Sequence, residues 1–506
     1  MKGTTMTKPG HLDRAAGVMV GLACGDALGA AYEFGGPYPA DMPVEMKGGG
    51  AFGWEPGEWT DDTAMAVPLL ELIETGERPR DLNLRLAVNG WLEWMEDAKD
   101  VGNQTSAILG EAKLAARGDV DSMHVAAQSA ARDFQEQFPE AAGNGSLMRT
   151  APYGLVGQDL EYVAKTAAGQ SELTHPHPDA MAACAIWSAA ISHAVDTGEL
   201  DIRKGLEASI VEVLDEDSYK LWLSRIEEAE ANPPAYFTKN GWVVQALQGA
   251  WSSIVHSGDR ADNDPQHVRR ALEMAVRGGG DTDTVAAIAG GLIGGAYGVS
   301  AIPLEWKRRI HGWPGWRSEE LVEHAVNATR VWKEYGENFD KAWPSTDYCD
   351  YSDWRGIDTC IAHPHDRGVY LGGIGALDRL PSDVDAVISL CRIGRRQVPD
   401  TIDRENRVAV WLVDSSSPSD NQYGDFTLTE AADMVARMRR EGKTVLLHCV
   451  QAHSRTPTVG ALYAARHLGV PIDDALREVS AVLPMANPNP AFVAALRRIT
   501  SEGQNA

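Results

Sequence analysis

At 506 residues the chain is longer than one hydrophobic core usually serves, so two domains are the natural expectation. Its formal net charge of -26 argues against general binding to nucleic acid or to a membrane surface, both themselves anionic, yet leaves room for a small anionic substrate held through cations. The six cysteines (Cys24, Cys184, Cys349, Cys360, Cys391, Cys449) show no paired spacing and no CxxC pattern, which fits a reducing cytoplasm better than a disulfide framework.

Met1 to Gly10 is polar, so a frayed start and no signal peptide are expected. From Leu12 to Gly29 the residues Ala15, Val18, Leu22, Gly25 and Leu28 recur at helical spacing, with Gly21 alongside. Asp26 within this helix reads as a hydrogen-bonded structural acid, whereas Glu33, near its end, is freer to face a cleft. Pro37–Glu58, rich in Gly and Pro, is loop and a possible lid; it leads into Trp59 and the stretch Thr60-Asp61-Asp62-Thr63. Helices follow over Ala64–Ile73, with Pro68 as a potential kink, and over Leu82–Met95, Ser106–Ala116 and Met123–Phe134. Gly143-Asn144-Gly145-Ser146-Leu147-Met148-Arg149 breaks the rhythm, and its small residues would let backbone N–H groups approach a phosphate.

Thr174-His175-Pro176-His177-Pro178 opens a helix through Ala180–His193; His175 there is either a cap or wall residue or a titrating group. Leu221–Glu230, Val243–Val255 and Ala271–Val276 are again helical, and Gly278-Gly279-Gly280 precedes a second acidic stretch, Asp281-Thr282-Asp283-Thr284. Thr284–Leu304 carries no charge and is long enough to span a bilayer, but five glycines, Tyr297 and Pro303 interrupt it. Gly290, Gly294 and Gly298 share one face, with Gly291 and Gly295 beside them, so a buried helix against another backbone is expected. No run of alternating strands precedes about residue 365, and the first domain is expected to be all-α.

Asp and Thr are good helix caps, so one TDDT would need no further explanation. Two such stretches offer four carboxylates, which repel one another in a shared cleft unless cations sit between them; hard oxygen ligands suit magnesium or manganese. The segments GDALGAAYEF (25–34), WTDDTAMA (59–66), GNGSLMR (143–149), THPHPDA (174–180) and GGGDTDTVAAIAG (278–290) together resemble the ordered motifs of the ADP-ribosylglycohydrolase family. The resemblance implies an all-α fold with two Mg2+ or Mn2+ ions that bind the ribose beside a scissile glycosidic bond. It implies Thr60, Asp61, Asp62, Asp281, Asp283 and Thr284 as metal ligands, and Asn144, Gly145, Ser146 and His175 as the positions that hold ADP-ribose. Either Glu33 or Asp62 is implied as the base that handles the attacking water.

Trp343 to Gly356 mixes Pro, Ser, Asp and Gly with aromatics and reads as a boundary that packs down. Domains are therefore expected at 11–342 and 368–506, joined by a linker over 343–367. Residues 346–506 hold 21 acidic and 17 basic side chains, a far milder imbalance than the preceding part. Short apolar runs at Val369–Leu371, Ala386–Leu390, Val408–Val413 and Thr444–Leu447, with helices at Thr429–Arg440 and after Pro457, make this domain α/β. The stretch His448-Cys449-Val450-Gln451-Ala452-His453-Ser454-Arg455-Thr456, between a strand and a helix, would aim backbone N–H groups and a helix dipole at a phosphate and a thiolate.

That stretch resembles the HCxxxxxR(S/T) signature of the cysteine-dependent dual-specificity phosphatases. By the resemblance Cys449 is the nucleophile, Arg455 and Ser454 bind phosphate, Thr456 assists the thiol or turnover, and Asp414 is the general acid. Many members have glycine where this chain has Ala452, and a positive φ there would strain alanine.

A bifunctional cytoplasmic enzyme is the expectation: a hydrolase that frees ADP-ribose from a protein, nucleic acid or small molecule, joined to a phosphatase acting on a phosphorylated substrate. The alternative makes the C-terminal domain a module that only binds phosphate or protein targets.

Overall fold

The computed structural model describes residues 10–77, 83–157, 159–332, 347–417 and 420–502. The start expected to fray falls almost wholly outside them, as do residues 343–346 of the expected linker and the proposed helix start at Leu82. The chain divides into two compact units, Met1–Ile302 with Arg309–Ala342, and Pro303–Arg308 with Trp343–Ala506.

Helices dominate the first unit. In order they are α1 (His11–Gly29), α2 (Asp61–Glu74), α3 (Leu84–Trp94), α4 (Asn103–Ala116), α5 (Met123–Gln137), α6 (Leu160–Ser171), α7 (Pro178–Thr197), α8 (Ile202–Ser209), α9 (Glu216–Ala231), α10 (Val243–Ser257), α11 (Gln266–Arg277) and α12 (Thr282–Tyr297). α13 (Leu304–Arg309), nearly all of it in the second unit, and α14 (Ser318–Trp332) follow, and between them lie the two-residue β1 (His311–Gly312) and β2 (Trp316–Arg317), the only strands described before the second unit's sheet. Pro68 sits inside α2 without ending it.

The unit is built on α1 against α12. Every residue of α12 is buried, and α1 is buried over nearly its whole length. Backbone meets backbone: a Cβ added at Gly17 would collide with the Gly294 carbonyl, and one at Gly21 with that of Gly290. Small residues at four-residue spacing thus let two helices approach more closely than side chains permit. The uncharged stretch is not one helix, because α12 ends at Tyr297 where Gly298 takes φ +87°, and a 3-10 turn, Val299–Ala301, follows. No described helix is long and apolar enough to cross a membrane.

Among the described residues the second unit carries five strands, β3 (Cys360–His363), β4 (Asp366–Gly372), β5 (Ala386–Ser389), β6 (Arg407–Ala409) and β7 (Val445–His448), in the order β3-β4-β7-β5-β6. Only the β3–β4 pair is antiparallel. β7 lies at the centre, and its four residues are all buried, as expected of a strand covered on both faces. Helices α15 (Gly424–Arg440), α16 (Arg455–His467), α17 (Ile472–Val482) and α18 (Pro490–Glu502) complete the unit.

Two boundaries differ from the sequence reading. β3 lies inside the expected linker, 343–367, so its last residues belong to the sheet. Earlier in that segment Asp347 pairs with Arg395 at 2.7 Å and the Cys349 N–H donates to Gln397 at 3.0 Å. The strand expected over Val408–Val413 ends at Ala409; beyond it the side-chain amide of Asn421 serves as ladder partner, accepting from Val413 N–H at 2.8 Å and donating to Val413 O at 2.7 Å.

Candidate active sites

The first acidic stretch is aimed by Asp26. Fully buried in α1, its carboxylate accepts from Thr60 N–H (2.8 Å), Thr63 N–H (2.9 Å) and the Thr63 hydroxyl (2.6 Å). Asp26 therefore satisfies the N–H groups at the start of α2. Thr60, which occupies the cap position, makes no capping bond of its own. Its hydroxyl turns instead to Asp62 Oδ2 (3.1 Å) and Asp283 Oδ2 (3.5 Å), and that of Thr284 to Asp62 Oδ2 (3.5 Å).

The second stretch enters from the other side. Gly280 takes φ +75° and leaves no room for a Cβ beside Asn240, whose Oδ1 accepts the Asp281 N–H at 3.0 Å. Asn144 donates to Asp281 Oδ2 at 2.7 Å and to Asn240 O at 2.9 Å. Ligand atoms of Glu33, Asp281 and Asp283 lie within 4.8 Å of one another, a group able to hold a metal ion.

The electrostatics of the cluster are those of crowded, buried acids. Burial raises Glu33 to about 8, with Asp281 and Asp100 adding to it. Burial, then Asp100 and Asp26, pushes Asp61 well up; burial, then Asp26 and Asp61, does the same to Asp62; burial, then Asp62 and Asp281, to Asp283. Burial also raises Asp281, against the hydrogen bond from Asn144. Asp62 Oδ1 and Asp283 Oδ1 are buried without any hydrogen-bond donor. Orphaned anionic oxygens cost several kcal/mol unless something cationic meets them. Carboxylates with threonine hydroxyls are hard donors, so the residues present fit divalent magnesium or manganese.

A cavity of about 590 Å³ is lined by Gly143, His177, Lys239, Gly241 and Trp242 among others, but by none of the clustered acids. Burial, and then Arg149, lowers His175 to about 3, so its imidazole is neutral; Nδ1 lies 2.8 Å from the Thr174 hydroxyl. Residue 145 passes so near that ring that a Cβ would stand 2.9 Å from His175 Cε1.

In the second unit, β7 delivers Cys449 to the carboxyl edge of the parallel sheet, where ligands of such sheets bind. The Cys449 N–H (3.3 Å) and the Thr456 hydroxyl (3.2 Å) both donate to Gly372 O. Arg455 opens α16, donates through Nη1 to Leu412 O at 3.0 Å, and keeps a buried Nε without a hydrogen-bond partner. Asp414 Oδ2 is 4.0 Å from that Nε. His448 is fully buried, with Nε2 2.7 Å from the Ser389 hydroxyl, and burial followed by Arg455 holds it down to about 4. Ala452 adopts φ +53°.

The ADP-ribosylglycohydrolase family matches this chain over residues 7–336. The chain belongs to that family. The ADP-ribosylarginine hydrolase Tri1 of Serratia proteamaculans is 28% identical over 302 residues, 59% of this chain and 75% of that protein. The dual specificity protein phosphatase 1 of Arabidopsis thaliana is 27% identical over 143 residues, 28% of this chain and 69% of that protein. The structure of human DUSP28 covers 29% of this chain and 99% of its own at 21% identity and a TM-score of 0.24.

In this ADP-ribosylglycohydrolase Glu33, Thr60, Asp61, Asp62, Asp281, Asp283 and Thr284 come together in one cluster. Three of the expected substrate-binding residues make hydrogen bonds within the protein. Asn144 donates to Asp281, and Ser146 is fully buried with its hydroxyl 2.7 Å from that of Ser171. Ser454 is buried too, its Oγ accepting the Asn489 N–H at 3.1 Å. Asp100 and Asn240 escaped the sequence reading. Asp100 is itself raised by burial and by Asp281, but in sequence it is one of several charged residues ahead of a helix, indistinguishable from a cap.

Proposed function

We propose that the first unit, assigned to 11–342, hydrolyses the glycosidic bond of ADP-ribose attached to a protein, nucleic acid or small molecule. The buried, donorless oxygens of Asp62 and Asp283 carry this reading. Thr60, Asp61, Asp62, Asp281, Asp283 and Thr284 would hold two Mg2+ or Mn2+ ions. When bound, such ions polarise sugar hydroxyls and lower the pKa of water. Glu33 and Asp62 are the groups to take the proton of the attacking water, and the carboxylates favour the oxocarbenium-like charge that develops on the sugar. The backbone of 143–145 and the neutral face of His175 form the wall for the ADP-ribose phosphates, with Asn144 aligning Asp281.

Release of ADP-ribose from a panel of ADP-ribosylated compounds tests this, beginning with ADP-ribosylarginine because of the Tri1 relative. Activity should vanish with chelator and in Asp61→Ala and Asp283→Ala. Chelator-resistant turnover at the wild-type rate would sink the proposal.

The second unit, assigned to 368–506 with the added strand β3, we read as a cysteine-dependent phosphatase with Cys449 as nucleophile, Arg455 on the phosphate and Asp414 as proton donor. The buried Arg455 Nε, which has no hydrogen-bond partner, supports this. The strained φ of Ala452 favours the other reading, a phosphate- or protein-binding module. Turnover of an aryl phosphate, lost in Cys449→Ser, separates the two. The six free thiols fit the cytoplasmic setting included in this proposal.

A further inference from the structure

Ahead of α18 the chain runs Asn487-Pro488-Asn489-Pro490, and Asn489 ties together three parts of the second site. Its N–H donates to Ser454 Oγ at 3.1 Å, while the neighbouring Asn487 N–H donates to His453 O at 2.7 Å. Its side-chain Oδ1 accepts the Ala491 N–H at 2.8 Å and so caps the first turn of α18. With the carbonyl end of the amide committed to the helix, the Nδ2 end has a fixed direction. It points at Asp414 Oδ1, 3.4 Å away.

We infer that Asn489 is a positioning residue that decides which oxygen of Asp414 carries the transferable proton. The inference rests on the phosphatase reading above. An N–H donated to Oδ1 leaves the acidic proton on Oδ2, the oxygen that faces Arg455 at 4.0 Å and hence the phosphate it binds. In the reaction the Cys449 thiolate forms an S–P bond as the ester P–O bond breaks. The bonding pair leaves with the ester oxygen, and Asp414 Oδ2 gives that oxygen its proton. Water then attacks phosphorus, loses one proton to the Asp414 carboxylate, and releases phosphate and the thiolate. Asn489 assists both halves: its neutral N–H tolerates acid and carboxylate alike, which a carboxylate at 489 would not.

Because the proton matters only when the leaving group is basic, the test compares phenyl phosphate with 4-nitrophenyl phosphate on the full chain. The variants are Asn489→Ser and Asn489→Asp, both of which keep an oxygen for the Ala491 N–H. We expect kcat/KM on phenyl phosphate to fall roughly tenfold in both, and on 4-nitrophenyl phosphate by less than about threefold. Asp414→Asn, as reference, should show the same selectivity at the order of 10²-fold. Equal losses on both esters, or none, would overturn the inference and leave the phosphatase reading intact. A wild-type chain inert toward both esters would remove that reading and the inference with it.

Discussion

Single side chains decide both sites. Asp26 serves the first by holding Thr60 and Thr63. Asp26→Ala would leave two buried N–H groups unpaired, so we expect a loss of about 2–4 kcal/mol in urea unfolding of the first unit, with ADP-ribose release falling alongside. In the second, Ala452 at φ +53° is the strained position. Ala452→Gly should stabilise the second unit by about 1 kcal/mol and raise aryl phosphate turnover; unchanged stability would show that no strain was relieved. His448 gives a pH dependence. It titrates near 4 when folded against an ordinary 6.5, so between those values the unfolded chain binds the extra proton. The stabilisation is complete above pH 6.5 and is lost as pH falls toward 4, about 2 kcal/mol by pH 5. Denaturation of wild type and His448→Gln at pH 7 and 5 should show this slope in the wild type alone.

At the scale of elements, the contact of α1 with α12 sets where the two acidic stretches meet. Asp26 projects from the first of these helices and Asp281-Thr282-Asp283-Thr284 opens the second. Gly21→Val should therefore cost about 3 kcal/mol or more by forcing backbones apart, visible as a fall of several degrees in the first thermal transition, and should weaken metal binding. That each segment packs closely on another backbone was legible in sequence, because small residues recur at helical spacing in both; that they pack on each other was not. The amphipathic α6, α8 and α14 and the closing α17 and α18 were not, their apolar residues being too sparse to stand out. β3 hid because an edge strand of half-buried residues reads like the linker around it. The end of β6 was misjudged because Asn421, a loop residue in sequence, replaces a strand partner through its side chain.

For the whole molecule, the motif-dense stretches marked the clustered acids and the cysteine loop, since the chemistries proposed for them need particular residues at particular spacings. Their supports, Asp100, Asn240 and Asn489, were silent, being defined by contacts between segments distant in sequence. Two separate chemistries predict a double dissociation in the intact chain. Asp283→Ala should abolish ADP-ribose release and spare aryl phosphate hydrolysis, and Cys449→Ser should do the reverse; loss of both activities from either change would contradict separate sites. The central claim is that the buried acids hold divalent cations. Its most direct test is titration of the full chain with Mn2+ followed by electron paramagnetic resonance. The account predicts two ions bound per wild-type chain and a loss of tight binding in Asp62→Ala and Asp283→Ala, whereas equal Mn2+ uptake by wild type and both variants, or none by any, would contradict it.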